Sequence, residues 1–331
     1  MRYDLHNDNL RTAQYAKNPQ DEQFLLELNR SLQDIMIPGS ESNIDPQTLP
    51  FIYIVGVPRS GTTLLSQLLC RFLAVGYINN LIARFWLKPS IGIHLSQAIL
   101  GKDSRKYISF DSEHGVSKEI YGPHEFGYFW SHWFRLDRWL NHHLSDKMLA
   151  KLDRRWLKKA LEDEILRVFA MPVVFKNVIC GFHAKFLTTL HPQTFFVYIK
   201  RDLLSTVRSI LSVRQARFGS YDSWWSLKPS TYPSDFPKGA VEAVIKQVKD
   251  CKREMEEELS DPGVNTLSVS YEEVCQKPSW VLSQICSKMT ELGVQIPIVE
   301  SMEGLKFATS SGPQLPQDLE DRINDSALAI N

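Results

Sequence analysis

Residues 51–73 hold the feature that most restricts what this chain can fold into. An apolar, β-rich run at 51–57 is stopped by Pro58, which reads as a short buried strand. Leu64, Leu65, Leu68, Leu69, Phe72 and Leu73 then recur at helical spacing, so a helix follows with Gly61, Thr62 and Thr63 in its first turn. A strand, a tight glycine turn and a helix N-terminus in immediate succession make an anion site. Backbone N–H groups without an intrahelical acceptor converge there, and the helix dipole favours negative charge.

The rest of the chain repeats the alternation. An apolar stretch at 172–175 runs into Lys176, and a helical stretch at 182–190 stops before Pro192. A second apolar stretch at 194–199 runs into Lys200, Arg201 and Asp202, and a helix follows at 203–214. A long helix at 240–259, a strand at 264–269 and a helix at 280–292 continue the series. Strands separated by helices predict an α/β fold in three layers, a parallel β-sheet flanked by helices. Ligands of such sheets collect at the carboxyl ends of the strands, which places Arg59, Lys176 and Arg201 along one edge.

The remaining stretches are less regular. Residues 1–20 are polar. Phe24, Leu25, Leu28, Leu32 and Ile35 predict a packing helix over 21–36, and 37–49 read as a linker. Residues 75–145 lack a clean period but are dense in aromatics and histidine between Glu113 and Trp130, as expected of a functional wall. Residues 146–170 predict one charged amphipathic helix with Leu149, Leu152, Trp156, Leu157, Ala160 and Leu161 inward. Residues 215–237 predict a long loop, and 300–331 a tail without a clear element. The expectation is one domain over 1–331, its core at about 50–290, with an N-terminal helical extension (1–49) and a C-terminal tail (about 295–331).

Composition narrows the class. The chain has 331 residues, 43% of them hydrophobic, which supports a full core. Lysine plus arginine equals aspartate plus glutamate at 38 each, a balance that argues against a general nucleic-acid or membrane-surface binder. The five cysteines are scattered without a C-x-x-C pair, which fits free thiols in a reducing compartment. Residues 1–6 contain no apolar signal core, and no apolar run approaches a membrane span. The expectation is a cytoplasmic, bacterial protein without a stable membrane span, its oligomeric state open.

Gly56 and Gly61 match the glycine spacing of a Walker A loop, but Thr62 stands where that loop has its lysine, and the loop cation is Arg59 instead. The stretch 58–65, Pro-Arg-Ser-Gly-Thr-Thr-Leu-Leu, resembles the 5′-phosphosulfate loop of the sulfotransferases, which use 3′-phosphoadenosine 5′-phosphosulfate (PAPS). Arg201 after a strand and Ser209 eight residues on resemble the 3′-phosphate motif of that family. Tyr271-Glu272-Glu273-Val274 is similar to the family's Tyr-Glu-Asp segment, whose tyrosine lies near the adenine. Phe175-Lys176, the strand at 194–199 and Arg201 together resemble the bacterial and tyrosylprotein branch. The glycine-rich C-terminal phosphate motif of the animal cytosolic branch is missing, which leaves part of the 3′-phosphate site unassigned; Arg208 and Arg214 are candidates for it.

The resemblance implies a P-loop sulfotransferase that releases adenosine 3′,5′-bisphosphate and needs no metal. Arg59 would neutralise the bridging and 5′-phosphate oxygens. Ser60, Gly61, Thr62, Thr63 and Leu64 would cradle the 5′-phosphate, and Arg201, Ser209 and Tyr271 would hold the rest of the nucleotide. Family members take the acceptor proton with a histidine or a glutamate. The candidates are His124, favoured because histidine titrates near neutrality, then Glu125 and Glu119. The acceptor is expected to be a hydroxyl of a small molecule, lipid or sugar. A P-loop kinase or other NTPase, and a non-catalytic nucleotide-binding protein of the same fold, remain as competing readings.

Overall fold

The computed structural model describes residues 11–35, 44–101, 104–138 and 140–328. Five strands, β1 (Phe51–Val55), β2 (Gly76–Tyr77), β3 (Val173–Lys176), β4 (Thr194–Lys200) and β5 (Asn265–Ser270), form one sheet in the order β2-β3-β1-β4-β5. Every pairing is parallel. The register sets Ile54 opposite Lys176 and Val55 opposite Tyr198, so β1, β3 and β4 end at nearly one level.

The sheet is covered on both faces, and β1 shows why its sequence is unbroken apolar. Phe51, Tyr53 and Val55 enter one hydrophobic cluster while Ile52 and Ile54 enter the other. The described helices are α1 (Pro19–Leu32), α2 (Thr62–Phe72), α3 (Pro89–Leu100), α4 (Gly127–Trp133), α5 (Asp146–Leu149), α6 (Arg154–Leu161), α7 (Arg167–Phe169), α8 (Ala184–Leu190), α9 (Leu203–Phe218), α10 (Ala240–Leu259), α11 (Tyr271–Gln276), α12 (Pro278–Glu291) and α13 (Gln317–Leu328). Helices α2, α11 and α12 pack on the Ile52 face. Helices α4, α6, α8, α9, α10 and α13 pack on the Phe51 face. The α/β, three-layer expectation holds. Among the described residues no helix is long and apolar enough to cross a membrane.

Several expectations need correction. The tail does carry an element: α13 buries Leu319 and Ile323 against the α10 side of the core. Its apolar positions are sparse, which hid it. Residues 146–170 are not one helix. They break into α5 and α6, followed by a π-helical stretch at Glu162–Leu166 and α7, and Trp156 lies outward at 54% exposure. In α1 the inward side is set by buried Asn29, which donates to the Leu25 and Arg84 carbonyls, and Phe24 faces out. The expected end of that helix, Met36, lies outside the described residues. Helix α9 runs one turn past its predicted end at 214 and stops at Gly219, whose φ of 66° supplies the left-handed cap.

Candidate active site

The turn between β1 and α2 is shaped by close approaches. A Cβ on Gly56 would lie 2.6 Å from the Ile199 carbonyl oxygen. Gly61, the N-cap of α2, has φ 104°, and a Cβ there would lie 2.6 Å from the Tyr271 ring. Arg59 itself adopts a left-handed φ of 68°, and the Ser60 N–H donates to the Val57 carbonyl (3.1 Å). The turn opens on a cavity of about 690 Å³, lined by Arg59, Gly61, Thr62, Thr63 and Leu64 from this turn. The cavity sits at the carboxyl ends of the strands, where parallel sheets place their ligands.

Arg201 follows β4 and lines the same cavity. Its guanidinium carbon lies 4.2 Å from the centroid of the Tyr271 ring, at the start of α11. One Nη donates to the Arg59 carbonyl (2.7 Å) and the other to the Ser310 carbonyl. Ser209 is buried in α9 and accepts from Arg59 Nε (2.8 Å). Burial, reinforced by the nearby Arg201 and Arg217 charges, pulls the Arg59 pKa down to about 10, which leaves it cationic at neutral pH. The Ser60 hydroxyl and Arg201 Nε are buried and have no hydrogen-bond partner.

The histidine-rich wall forms the cavity's other side. Glu125 follows directly on His124, and its carbonyl accepts from Asn177 Nδ2 (2.8 Å). Its carboxylate, about half exposed at 49%, meets the Lys176 ammonium at 2.8 Å, and Lys176 is itself buried. Burial pushes the Glu125 carboxyl up, but the Lys176 charge and hydrogen bond outweigh it, and the net direction is down. Burial takes the His124 imidazole down to about 4. Its Nδ1 accepts the Phe126 N–H (2.9 Å), so in the neutral ring the proton resides on Nε2. His114 also lines the cavity, its pKa lowered by burial and then by Arg59 and Arg217. Glu119 does not line it; its carboxylate accepts from the Ser109 hydroxyl.

Sequence reasoning missed several lining residues. Lys17, Glu22, Arg84, Arg217 and Phe307 all reach the cavity, from segments far apart in the chain. Neither Arg208 nor Arg214 does: Arg208 pairs with Glu320 (2.8 Å), and Arg214 is buried on Gln247 (3.0 Å). The α9 arginine that does is Arg217, in the extra turn of that helix. Among the aromatics, Trp225 lines the cavity, whereas Phe129 and Trp130 are core and Trp224 packs on Tyr232 and Phe236.

The sequence profile described as the sulfotransferase family matches residues 50–291, nearly all of the sheet and its helices. The chain belongs to the sulfotransferase family. Solved structures similar to this sulfotransferase include STF1 from Mycobacterium tuberculosis H37Rv (14% identity, TM-score 0.47, 96% of this chain and 82% of that one). Sulfotransferase STF9 from Mycobacterium avium is another (14% identity, TM-score 0.49, 97% of this chain and 78% of that one). No curated protein sequence matches significantly.

Proposed function

We propose that this sulfotransferase moves the sulfuryl group of PAPS to a hydroxyl of a small-molecule, lipid or sugar acceptor. The observation that carries the reading is that Arg59 and Arg201, 142 residues apart, line one cavity and are bonded to each other through the Arg59 carbonyl. The residues fit the donor. Arg201 lines the cavity and its buried Nε lacks a partner, which a phosphate oxygen would supply; the Ser60 hydroxyl is also without a partner but is fully buried and does not line the cavity. The missing side chain of Gly61 lets the Tyr271 ring pack against the α2 N-terminus, where a Cβ would lie 2.6 Å from the ring.

Bound PAPS supplies a sulfuryl group whose leaving group is a phosphate. As the acceptor oxygen bonds to sulfur and the sulfur–oxygen bond to the 5′-phosphate breaks, negative charge grows on the departing nucleotide. Arg59 and the α2 N-terminus stabilise that charge. The acceptor proton goes to Glu125. Its carboxylate is ionised at neutral pH and lines the cavity. His124 is poorly suited to that role, since its Nδ1 lone pair is engaged and its Nε2 carries hydrogen; it serves as a donor. Against phosphoryl transfer from ATP, Thr62 replaces the loop lysine, and the Asp202 carboxylate is committed to capping α9 through Ser205 N and Oγ (both 2.8 Å).

Transfer of radiolabelled sulfate from PAPS to a panel of phenols, alcohols and sugars tests the proposal. Arg59→Ala is expected to lower the rate by about 10²–10³-fold, in the range of removing one donor from a transition-state cradle. Wild-type rates in that variant, or phosphoryl transfer from ATP in place of sulfuryl transfer, would sink it.

A further inference from the structure

The basic residues of this chain are not spread evenly. Between 147 and 159 stand Lys147, Lys151, Arg154, Arg155, Lys158 and Lys159, with Asp153 as the one carboxylate, in a chain whose charges balance at 38 against 38. Lys147, Lys151, Arg154, Arg155 and Lys159 are exposed. Among the described residues none of these five lies within ion-pair distance of a carboxylate; of the six, Lys158 alone has such a partner, Glu162 at 3.6 Å. Asp153 is taken up by the helix itself, its carboxylate accepting the Trp156 N–H (3.2 Å).

Helix α6 carries these charges at a cost to itself. Its first turn holds Arg154 and Arg155 and no acid, although the N-terminal end of the helix dipole repels cations. Arg154 with Lys158, and Arg155 with Lys159, are like-charge pairs four residues apart, which destabilise a helix. Leu157, Ala160 and Leu161 turn into the core, which leaves the cations together on the outer face. Apart from the Lys158 pair, the fold returns little. Arg154 lies over the Phe186 ring (5.1 Å) and donates to the Thr189 hydroxyl (2.8 Å), and Lys159 lies over the Trp156 ring (5.1 Å). A helix that breaks its local rules without compensation inside the fold marks a surface shaped by something outside it.

This face lies away from the cavity. Arg154 meets Thr189 near the end of α8, and Glu162, directly after α6, bonds His191 (2.9 Å), between α8 and β4. Helix α6 therefore runs near the amino ends of the strands, and none of its residues lines the cavity at their carboxyl ends. Two large apolar side chains accompany the cations and are exposed: Trp156 within α6, and Leu140 just ahead of α5, at 72%. An indole and a leucine beside lysines and arginines suit the boundary between lipid headgroups and acyl chains, whereas a leucine adds nothing on a nucleic-acid backbone. The outer face of a helix is also convex, so a broad anionic surface can meet its cations together. We infer that the outer face of α6 docks reversibly on an anionic lipid bilayer, its cations on the headgroup charges and Trp156 at headgroup level. The inference stands apart from the PAPS reading, because it uses no residue of the cavity.

Flotation of the full chain with lipid vesicles tests it without requiring turnover. At low salt the protein is expected to bind phosphatidylcholine vesicles containing phosphatidylserine at least about tenfold more tightly than vesicles of phosphatidylcholine alone, and added salt should erode that binding. The joint variant Arg154→Gln, Arg155→Gln, Lys158→Gln and Lys159→Gln should weaken it by at least about tenfold. Glutamine at four exposed lysines elsewhere, Lys238, Lys249, Lys252 and Lys277, should leave it within about threefold. Trp156→Ser keeps every charge and should weaken it by about threefold or more. Melting curves check that the variants fold; should the α6 variant not fold, Trp156→Ser and the salt response of the unaltered protein carry the test. Equal binding to both kinds of vesicle, no binding to either, equal losses in the two fourfold variants, or stronger binding of a single-stranded oligonucleotide than of the anionic vesicles would overturn the inference.

Discussion

The strand edge proposed to hold the nucleotide and the wall that carries His124 and Glu125 are built in different ways. The first rests on the carboxyl ends of β1, β4 and β5 and on the turns that leave them, so its cations inherit the register of the sheet. The second is assembled from the segment before α1, the wall between residues 113 and 128, the last turn of α9 and the loop that carries Trp225. Its parts meet through side chains reaching across about a hundred residues, as Tyr15 does to Glu113. A rigid edge suits a ligand that is always the same, whereas loops and ends can be rebuilt without disturbing the core.

The sharpest way to break this contrast is at the residue where the two meet. Glu125→Gln is expected to lower kcat by about 10²–10⁴-fold, the usual range for a general base, with bisphosphate affinity retained. A near-normal kcat would move the base elsewhere. Lys176→Met refines the same point through pH. Because Lys176 holds the Glu125 carboxyl down against the upward push of burial, its removal should carry the acid limb of the kcat/KM profile to higher pH. A limb that stays in place, or moves to lower pH, would contradict the pairing. On the nucleotide side, Arg201→Ala is expected to weaken adenosine 3′,5′-bisphosphate by about 10–100-fold, the worth of a charge-assisted contact. AMP should lose far less, and equal losses for both nucleotides would remove Arg201 from the 3′-phosphate. The smallest effect is expected from His124→Gln, within about tenfold in kcat, since a neutral imidazole with its Nδ1 engaged contributes one donor at most.

The same division decides how much could be read from the chain. β1, the turn and α2 are consecutive, and their period changes from an unbroken apolar run to a helical repeat within a few residues. Arg201 and Tyr271 stand immediately after strands, so once those strands were located their place at the carboxyl edge followed. Lys17, Arg84 and Arg217 carry no such mark. Each is a cation on or beside a helix, indistinguishable by spacing from a solvated one, and only folding brings them to one wall. Arg217 was missed for a further reason: α9 continues one turn past its expected end. The ordinary titration range of histidine favours His124 as the base; its burial, which lowers that range, and the Phe126 N–H on its Nδ1 leave no trace in residue spacing. β2 is two residues long, too short for any periodicity to show.

One carbonyl ties the two constructions together. The Gly115 oxygen accepts both the Thr63 hydroxyl (3.0 Å) and the Lys176 ammonium (2.9 Å), and Lys176 in turn holds Glu125. A side chain at 115 would press on Arg59 Nη1 at 3.0 Å and Thr63 Oγ1 at 3.3 Å, and φ there is 84°. Anyone grafting a new specificity segment onto this scaffold therefore inherits a fixed splice point. The graft must return a glycine with its oxygen toward α2, or the transplanted wall will come loose from the very groups it is meant to serve.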